Sequence, residues 1–331
     1  MALSEISKFF PSNVFIKKVL RNQIQYLFLT MIIFLIPLLL SFLRDFNNYI
    51  TSYKNNNLAY PWPEYYDLFK ASFVTIFILI LSSVFGKVFV PVGEKFISKK
   101  YKGKDRAFKV HKFVDCVFKG MYYVFASAFG YYTVRNEGFL PPFLGGKGDS
   151  SNMFQGYPYQ KFNDLDLLKT YLQIQLGYHL YSLIIHIVRE AKNDFIEMLL
   201  HHLMTVFLVA LAYMMNYLSI SALVLLCHDF SDVFGYLIRI TVDTDYKNVI
   251  ILAYASLLLS WFYMRLIVFP FNVMWSAIYI NPIIGDLPGA FFLGLMLHFL
   301  VVLHAYWFYL FIQMGLKFAK SKVPEDTYHV E

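Results

Sequence analysis

Long apolar runs alternate along this chain with short polar segments, and eight of the runs reach the roughly 20 residues needed to cross about 30 Å of hydrocarbon. They lie at about 24–43, 68–92, 113–134, 169–189, 195–215, 217–239, 249–270 and 289–316. The first lacks a small-residue cleavage site and is as long as the others, so it reads as a retained span. Two stretches between runs read as loops: 136–163, rich in Gly, Pro, Ser and Asn, and 271–288, short, apolar and broken by Pro282, Gly285 and Pro288. No internal repeat stands out, and no extramembrane segment is long enough to build its own core. The expected fold is therefore an all-α integral membrane protein with about eight transmembrane helices.

Composition agrees with the pattern. Of 331 residues 58% are hydrophobic and 20% aromatic, and the mean hydropathy is +0.50, too apolar for a soluble domain. The two cysteines, Cys116 and Cys227, fall inside spans, and no N-x-S/T acceptor occurs, so neither a disulfide framework nor a glycosylation marker is present.

The net charge of +7 is informative through its placement. Eight of the 29 Lys and Arg residues lie between Lys95 and Lys112 (KFISKKYKGKDRAFKVHK), between two spans. With that segment cytosolic, alternation puts both termini, 190–194 and 240–248 on the same side. The cytosolic segments and their flanks then hold 19 Lys and Arg, against 6 on the opposite side. This is the positive-inside pattern of a membrane protein and points to no nucleic acid. The basic segment serves orientation and lipid headgroups, and is also placed to meet a polyanionic ligand.

Against this apolar background five titratable residues stand out: His201 and His202 in one run, and His228, Asp229 and Asp232 in the next. An aspartate at the centre of a transmembrane helix costs roughly 2.5–3.5 kcal/mol, so two on one turn must face a partner or an aqueous cavity. His201 lies seven residues from Asp194, and Asp232 seven residues from Arg239, so both sit roughly 10 Å below the same membrane face. On the later helix His228 and Asp232 are spaced i,i+4, and Asp229 and Asp232 i,i+3, so one face presents all three. His201 and His202 point about 100° apart, so one takes the centre and the other buttresses it; Thr205 follows at i+4. Polar packing explains single residues of this kind. A metal site is the next alternative, although repeated HxxxH and HxxHH boxes are missing. Acid–base or nucleophilic chemistry by an imidazole beside a carboxylate explains the whole set, in a place that a lipid reaches sideways and a soluble substrate from the cytosol. The residues alone thus lead to a membrane-embedded lipid-modifying enzyme.

At these positions the chain resembles the ceramide synthases, the Lag-motif branch of the TLC-domain proteins. KNDFIEM (Lys192 to Met198), HHLMT (His201 to Thr205) and HDFSD (His228 to Asp232) match that family's lead-in and its paired blocks. YLQIQLGYHLY at 171–181, RLIVFPF at 265–271 and VLHAYWFYL at 302–310 are similar to family segments. The likeness covers roughly 70–316. It departs at Gly235, Tyr236, Leu237 and Arg239, where the family's usual Glu and Lys are missing, and there is no homeobox-like insert between the second and third spans.

The resemblance implies a TLC-type helical bundle around an intramembrane cavity over 68–316, between an N-terminal part (1–67) and a cytosolic tail (317–331). It implies acyl-CoA-dependent N-acylation of a sphingoid base in the endoplasmic reticulum membrane. Acyl-CoA would be the co-substrate, with no resident cofactor or metal; membrane lipid is the surrounding partner, and a homo- or hetero-oligomer stays open. His201 is then the nucleophile or base with His202 as alternate, Asp229 and Asp232 orient the ring, and His228, Thr205 and Asp194 support it. Lys119 is a weak candidate for the acyl-CoA phosphates, and otherwise snorkels to headgroups. Arg265 is expected to snorkel to the non-cytosolic face; His179, His186, His304 and Trp307 are expected mainly to pack. The 271–288 loop is expected to influence acyl length. The other reading is a TLC-domain protein without catalysis, a trafficking or translocation helper or a regulator of lipid composition.

The charge asymmetry makes a direct prediction. Acceptor sequons inserted at 136–163 should be glycosylated, and those within 95–112 should not; the reverse pattern would overturn the orientation.

Overall fold

The computed structural model describes residues 13–189, 195–280 and 289–321, and the described residues are almost wholly helical. In chain order the helices are α1 (Asn13–Asn56), α2 (Tyr65–Val88), α3 (Val90–Phe96), α4 (Gly103–Val134), α5 (Leu165–Val188), α6 (Phe195–Met214), α7 (Leu218–Thr241), α8 (Lys247–Trp261) and α9 (Ala290–Ser321). Five segments are long and apolar enough to cross a membrane: α2, α6, α7, α9 as far as Phe318, and Lys247–Tyr279, which contains α8. No strand occurs among the described residues; one isolated bridge pairs Ile97 with Thr244.

Three boundaries differ from the sequence expectation. The N-terminal helix extends to Asn56, well past the apolar run, because 44–56 contains no Pro or Gly to stop it. The basic segment is helical from Gly103 onward, so only 97–102 separates α3 from α4. Its Arg106 donates to the carbonyls of Glu94, Ile97 and Ser98, which closes this turn. The third difference is at 271–280, expected as loop. Here α8 continues through π-type turns, Phe262–Met274 and Ser276–Ile280, that carry Pro270 inside the helix. Pro282, Gly285 and Pro288 lie outside the described residues.

The centre of the bundle is α7, packed against α4, α5, α6, α8 and its π-type continuation. Small and medium side chains on its buried face, Ser219, Ser221, Ala222, Cys227 and Ser231, let the neighbours approach closely. The turn from α6 into α7 is equally tight. Asn216 takes φ 60, a conformation that Asn tolerates better than most residues, and its side chain donates to Tyr60 Oη and the Pro158 carbonyl. Trp62 Nε1 and Tyr157 Oη donate to the Met214 and Met215 carbonyls, so the aromatic-rich 136–163 segment and the α1–α2 connection cap this end of the bundle. Tyr and Trp in this arrangement suit a membrane–water boundary.

The opposite end is organised by Asp243, just past α7. Its carboxylate meets Lys109 at 2.9 Å, Lys112 at 3.2 Å and Tyr101 Oη at 3.2 Å. Burial, helped by Asp243, pushes the Tyr101 phenol up to about 12, so it stays protonated and donates. Part of the basic segment thus pins the α7–α8 connection.

Close packing between α2 and α5 rests on Gly177: an added Cβ would stand 2.6 Å from Val74 Cβ and 2.7 Å from the Ala71 carbonyl. Thr75 donates to the Gly177 carbonyl at this contact. Gly177→Ala should therefore destabilise the fold by about 1–3 kcal/mol. The readout is a lower unfolding temperature in detergent; an unchanged midpoint would contradict the close approach.

Candidate active site

Helices α6 and α7 run antiparallel from their tight turn, and this brings His201, His202 and Thr205 to the same cavity as His228, Asp229 and Asp232. The cavity is a narrow slot with a free volume of about 100 Å³. Tyr123 of α4, His179 of α5 and Arg265 complete its polar part. Away from these groups the walls are apolar, with Leu208, Val209 and Ala212 on α6 and Val224 and Leu225 on α7. The slot continues to Phe154, Tyr217 and Ala290 at the far end of the bundle. From His201 to Ala212 it follows α6 for about 16 Å.

The three polar residues of α7 share the cavity but turn to three different neighbours. Asp232 Oδ1 accepts from Arg265 at 2.6 Å; the arginine is 2% exposed, and the aspartate keeps 25% of its side chain open. The same guanidinium donates to Ser231 Oγ at 2.5 Å and to the His228 carbonyl at 3.0 Å, and lies 4.0 Å over the Trp261 ring. Asp229 Oδ2 accepts a short hydrogen bond from Gln175 Nε2 and a longer one from Tyr171 Oη; Tyr122 Oη donates to Gln175 Oε1. His228 places Nδ1 2.6 Å from the Val224 carbonyl and Nε2 3.2 Å from His304 Nε2.

The α6 histidines are held differently. Thr205 Oγ1 donates to the His201 carbonyl at 2.8 Å, and Trp307 lies edge-on to the His201 ring at 5.2 Å. The His202 ring is 5.5 Å from His201 and 5.4 Å from His186. Nδ1 of each is buried without a hydrogen-bond partner. The carboxylates expected to orient these rings are thus engaged by Arg265 and Gln175.

Other expectations change. Arg265 does not snorkel outward but sits in the site, because helical side chains lean toward the helix N-terminus, which for α8 is the end near Asp243. An unmatched arginine in an apolar run opposite two unmatched aspartates was the signal for it. His304 is fully buried against His228, and His179 lies on the cavity wall. Gln175 and Tyr171, which hold Asp229, lie in the 171–181 segment that resembles the family, but residue type and spacing do not single them out. Lys119 lies off the cavity, 3.2 Å from Asp115, whose carboxylate also receives both Arg189 nitrogens at 3.0 Å. Asp194 is outside the described residues. Among the described residues no group of three or more His, Cys, Asp or Glu side chains is placed to hold a metal ion.

Comparison with known proteins agrees with this architecture. Residues 112–313 match the TLC domain family. The chain is similar to ceramide synthase hyl-2 of Caenorhabditis elegans, 24% identical over 83% of this chain and 86% of that protein. It is 30% identical to ceramide synthase 4 of Mus musculus over 69% of this chain and 56% of the relative. To ceramide synthase hyl-1 of Caenorhabditis elegans it is 32% identical over 51% of this chain, which spans 44% of that relative.

The Arg265–Asp232 pair yields a stability prediction. Asp232→Asn should cost about 3–5 kcal/mol, because it leaves the buried Arg265 charge without its match, and Arg265→Met less, because Asp232 keeps 25% of its side chain open. The double variant should lose less than the sum by more than about 1 kcal/mol. Denaturation of the four proteins checks it, and strict additivity would show that the two groups are not coupled.

Proposed function

We propose that this chain, which belongs to the TLC-domain family and within it to the ceramide synthases, transfers the acyl group of a fatty acyl-CoA to the amine of a sphingoid long-chain base. The observation that carries the reading is the pairing of His201 and His202 with an apolar slot of about 16 Å at the polar end of one intramembrane cavity. A soluble metabolite needs no such slot, whereas an acyl tail fills it.

The chemistry is proposed as two displacements. An imidazole nitrogen of His201 attacks the thioester carbonyl, the C–S bond breaks, and the thiol leaves with a proton. The neutral amine then attacks the acyl-imidazole, the C–N bond to the ring breaks, and the amide forms while a histidine takes the amine proton. His202 is the alternate nucleophile or the base. Asp232 and Asp229 supply negative charge near the imidazolium that forms, and Thr205 steadies the His201 turn. In the other route the same imidazole acts only as a general base.

The placement follows from the same reading. Eight crossings put both termini and the basic 95–112 segment in the cytosol, on the face from which the polyanionic carrier arrives, and the membrane is that of the endoplasmic reticulum. Lys119 and Arg189, grouped around Asp115, are the cations for the carrier's phosphates. The slot ends at Phe154, Tyr217, Ile278 and Ala290, so this rim is proposed to set acyl length.

Membranes containing the protein, given a long-chain base and labelled acyl-CoAs of several lengths, should form an amide. His201→Ala should lower the rate by about 10²–10⁴. Absence of amide at every chain length contradicts the reading.

A further inference from the structure

Of the cavity-wall imidazoles that the acyl-transfer chemistry leaves unused, His228 is engaged by the Val224 carbonyl and His304, whereas the other is not. His179 of α5 is 8% exposed, and its Nε2 is buried with no hydrogen-bond partner. Two turns further along the same helix His186 Nε2 lies 2.9 Å from the Phe195 carbonyl. The two α5 histidines therefore differ in kind: one is satisfied by the fold and the other is not. A buried polar atom without a partner is costly, and nearly all such atoms in folded proteins find one. At a cavity wall that partner is supplied by what fills the cavity.

We propose that His179 is a recognition residue that takes a hydroxyl group of the substrate lying beside the reacting carbon. This rests on the acyl-transfer reading for the identity of the substrates, and on the cavity alone for the existence of the contact. Depth sets the distance. His186 meets Phe195, which sets the two helices level there; His179 stands seven residues from His186, about 10 Å, and His201 six residues from Phe195, about 9 Å. His179 thus lies at about the depth of the reacting imidazole, within a few bonds of a carbonyl seated at His201.

The chemistry of the partner follows from the ring. The free Nε2 of a neutral imidazole donates or accepts according to the tautomer, and an uncharged hydroxyl can meet it either way. A phosphate, carboxylate or ammonium would bring a further charge into a mostly apolar cavity, beside the Asp232–Arg265 pair. Two substrate hydroxyls fit this description: the one on the carbon next to the amine-bearing carbon of a long-chain base, and the one on the second carbon of a 2-hydroxyacyl chain. A site built around a hydroxyl discriminates strongly against the analogue without it, because its own buried polar group is then left unpaired.

The test is binding to the purified full-length protein, read by thermal stabilisation, with two ligand pairs. One pair is a long-chain base and its 3-deoxy analogue; the other is a 2-hydroxyacyl-CoA and the unsubstituted acyl-CoA of equal length. The wild type should bind the hydroxylated member of one pair about tenfold more tightly or better, and the pair that shows it names the source of the hydroxyl. His179→Phe, which keeps a flat ring without nitrogens, should bring that ratio close to one, and His179→Gln, which keeps a donor and an acceptor, should retain part of it. Wild type without a hydroxyl preference in either pair overturns the proposal, so it stays refutable even if the phenylalanine variant fails to fold. A preference that survives intact in His179→Phe overturns it as well. Amide formation in the same preparations reports separately on the acyl-transfer reading: a wild type that shows the hydroxyl preference but forms no amide keeps the role of His179 and removes the transferase.

Discussion

Asp232 lies within a helix long and apolar enough to cross hydrocarbon, and its charge is matched there by Arg265 at 2.6 Å. Hydrocarbon offers no water to an unpaired carboxylate, so this match is a condition for the helix to sit in the bundle at all. The guanidinium also holds Ser231 and the His228 carbonyl, which ties α8 to two turns of α7. The second carboxylate, Asp229, is accommodated without a cation, by Gln175 and Tyr171 of α5 backed by Tyr122 of α4. Between them the two aspartates fix how α4, α5 and α8 gather around α7. The cavity is the space these contacts leave.

That space is divided by chemistry. At one end stand His201, His202 and the matched carboxylates, and beyond them the walls carry apolar side chains. The arrangement separates a reacting headgroup from a tail, which is what acyl transfer between two lipid-like substrates requires. The unpartnered Nδ1 atoms of His201 and His202 belong to the same division. These nitrogens are left for incoming groups, and the carboxylates nearby are held in place by other residues. At the basic end of the bundle Asp243, gripped by Lys109, Lys112 and Tyr101, ties the α7–α8 connection to α4.

How much of this was legible in the sequence depended on which physical quantity was needed. The shared depth of His201 and Asp232 followed from helical rise and a short turn, and the tight Asn216 reversal does join those helices. Arg265 is expected at the far face as a snorkelling cation, but the lean of its side chain toward the helix N-terminus carries it to Asp232. The residues 271–280 were read as loop from Pro and Gly farther on, yet wide helical turns absorb Pro270 and run to Ile280. Basic residues after Gly103 were read as loop by their charge, although Lys, Arg and Ala are good helix formers. The partners of Asp229 were out of reach, since Gln175 and Tyr171 are ordinary residues until tertiary packing puts them beside a carboxylate.

The account centres on an imidazole of α6 as the group that receives the acyl chain. Intact-mass and peptide analysis of purified protein incubated with acyl-CoA in the absence of amine tests this most directly. The expected result is a gain of one acyl mass on the peptide containing His201 and His202, lost on later addition of a long-chain base. A preparation that makes amide when amine is present, yet never carries an acyl adduct without it, would contradict the covalent role and leave these histidines as general bases.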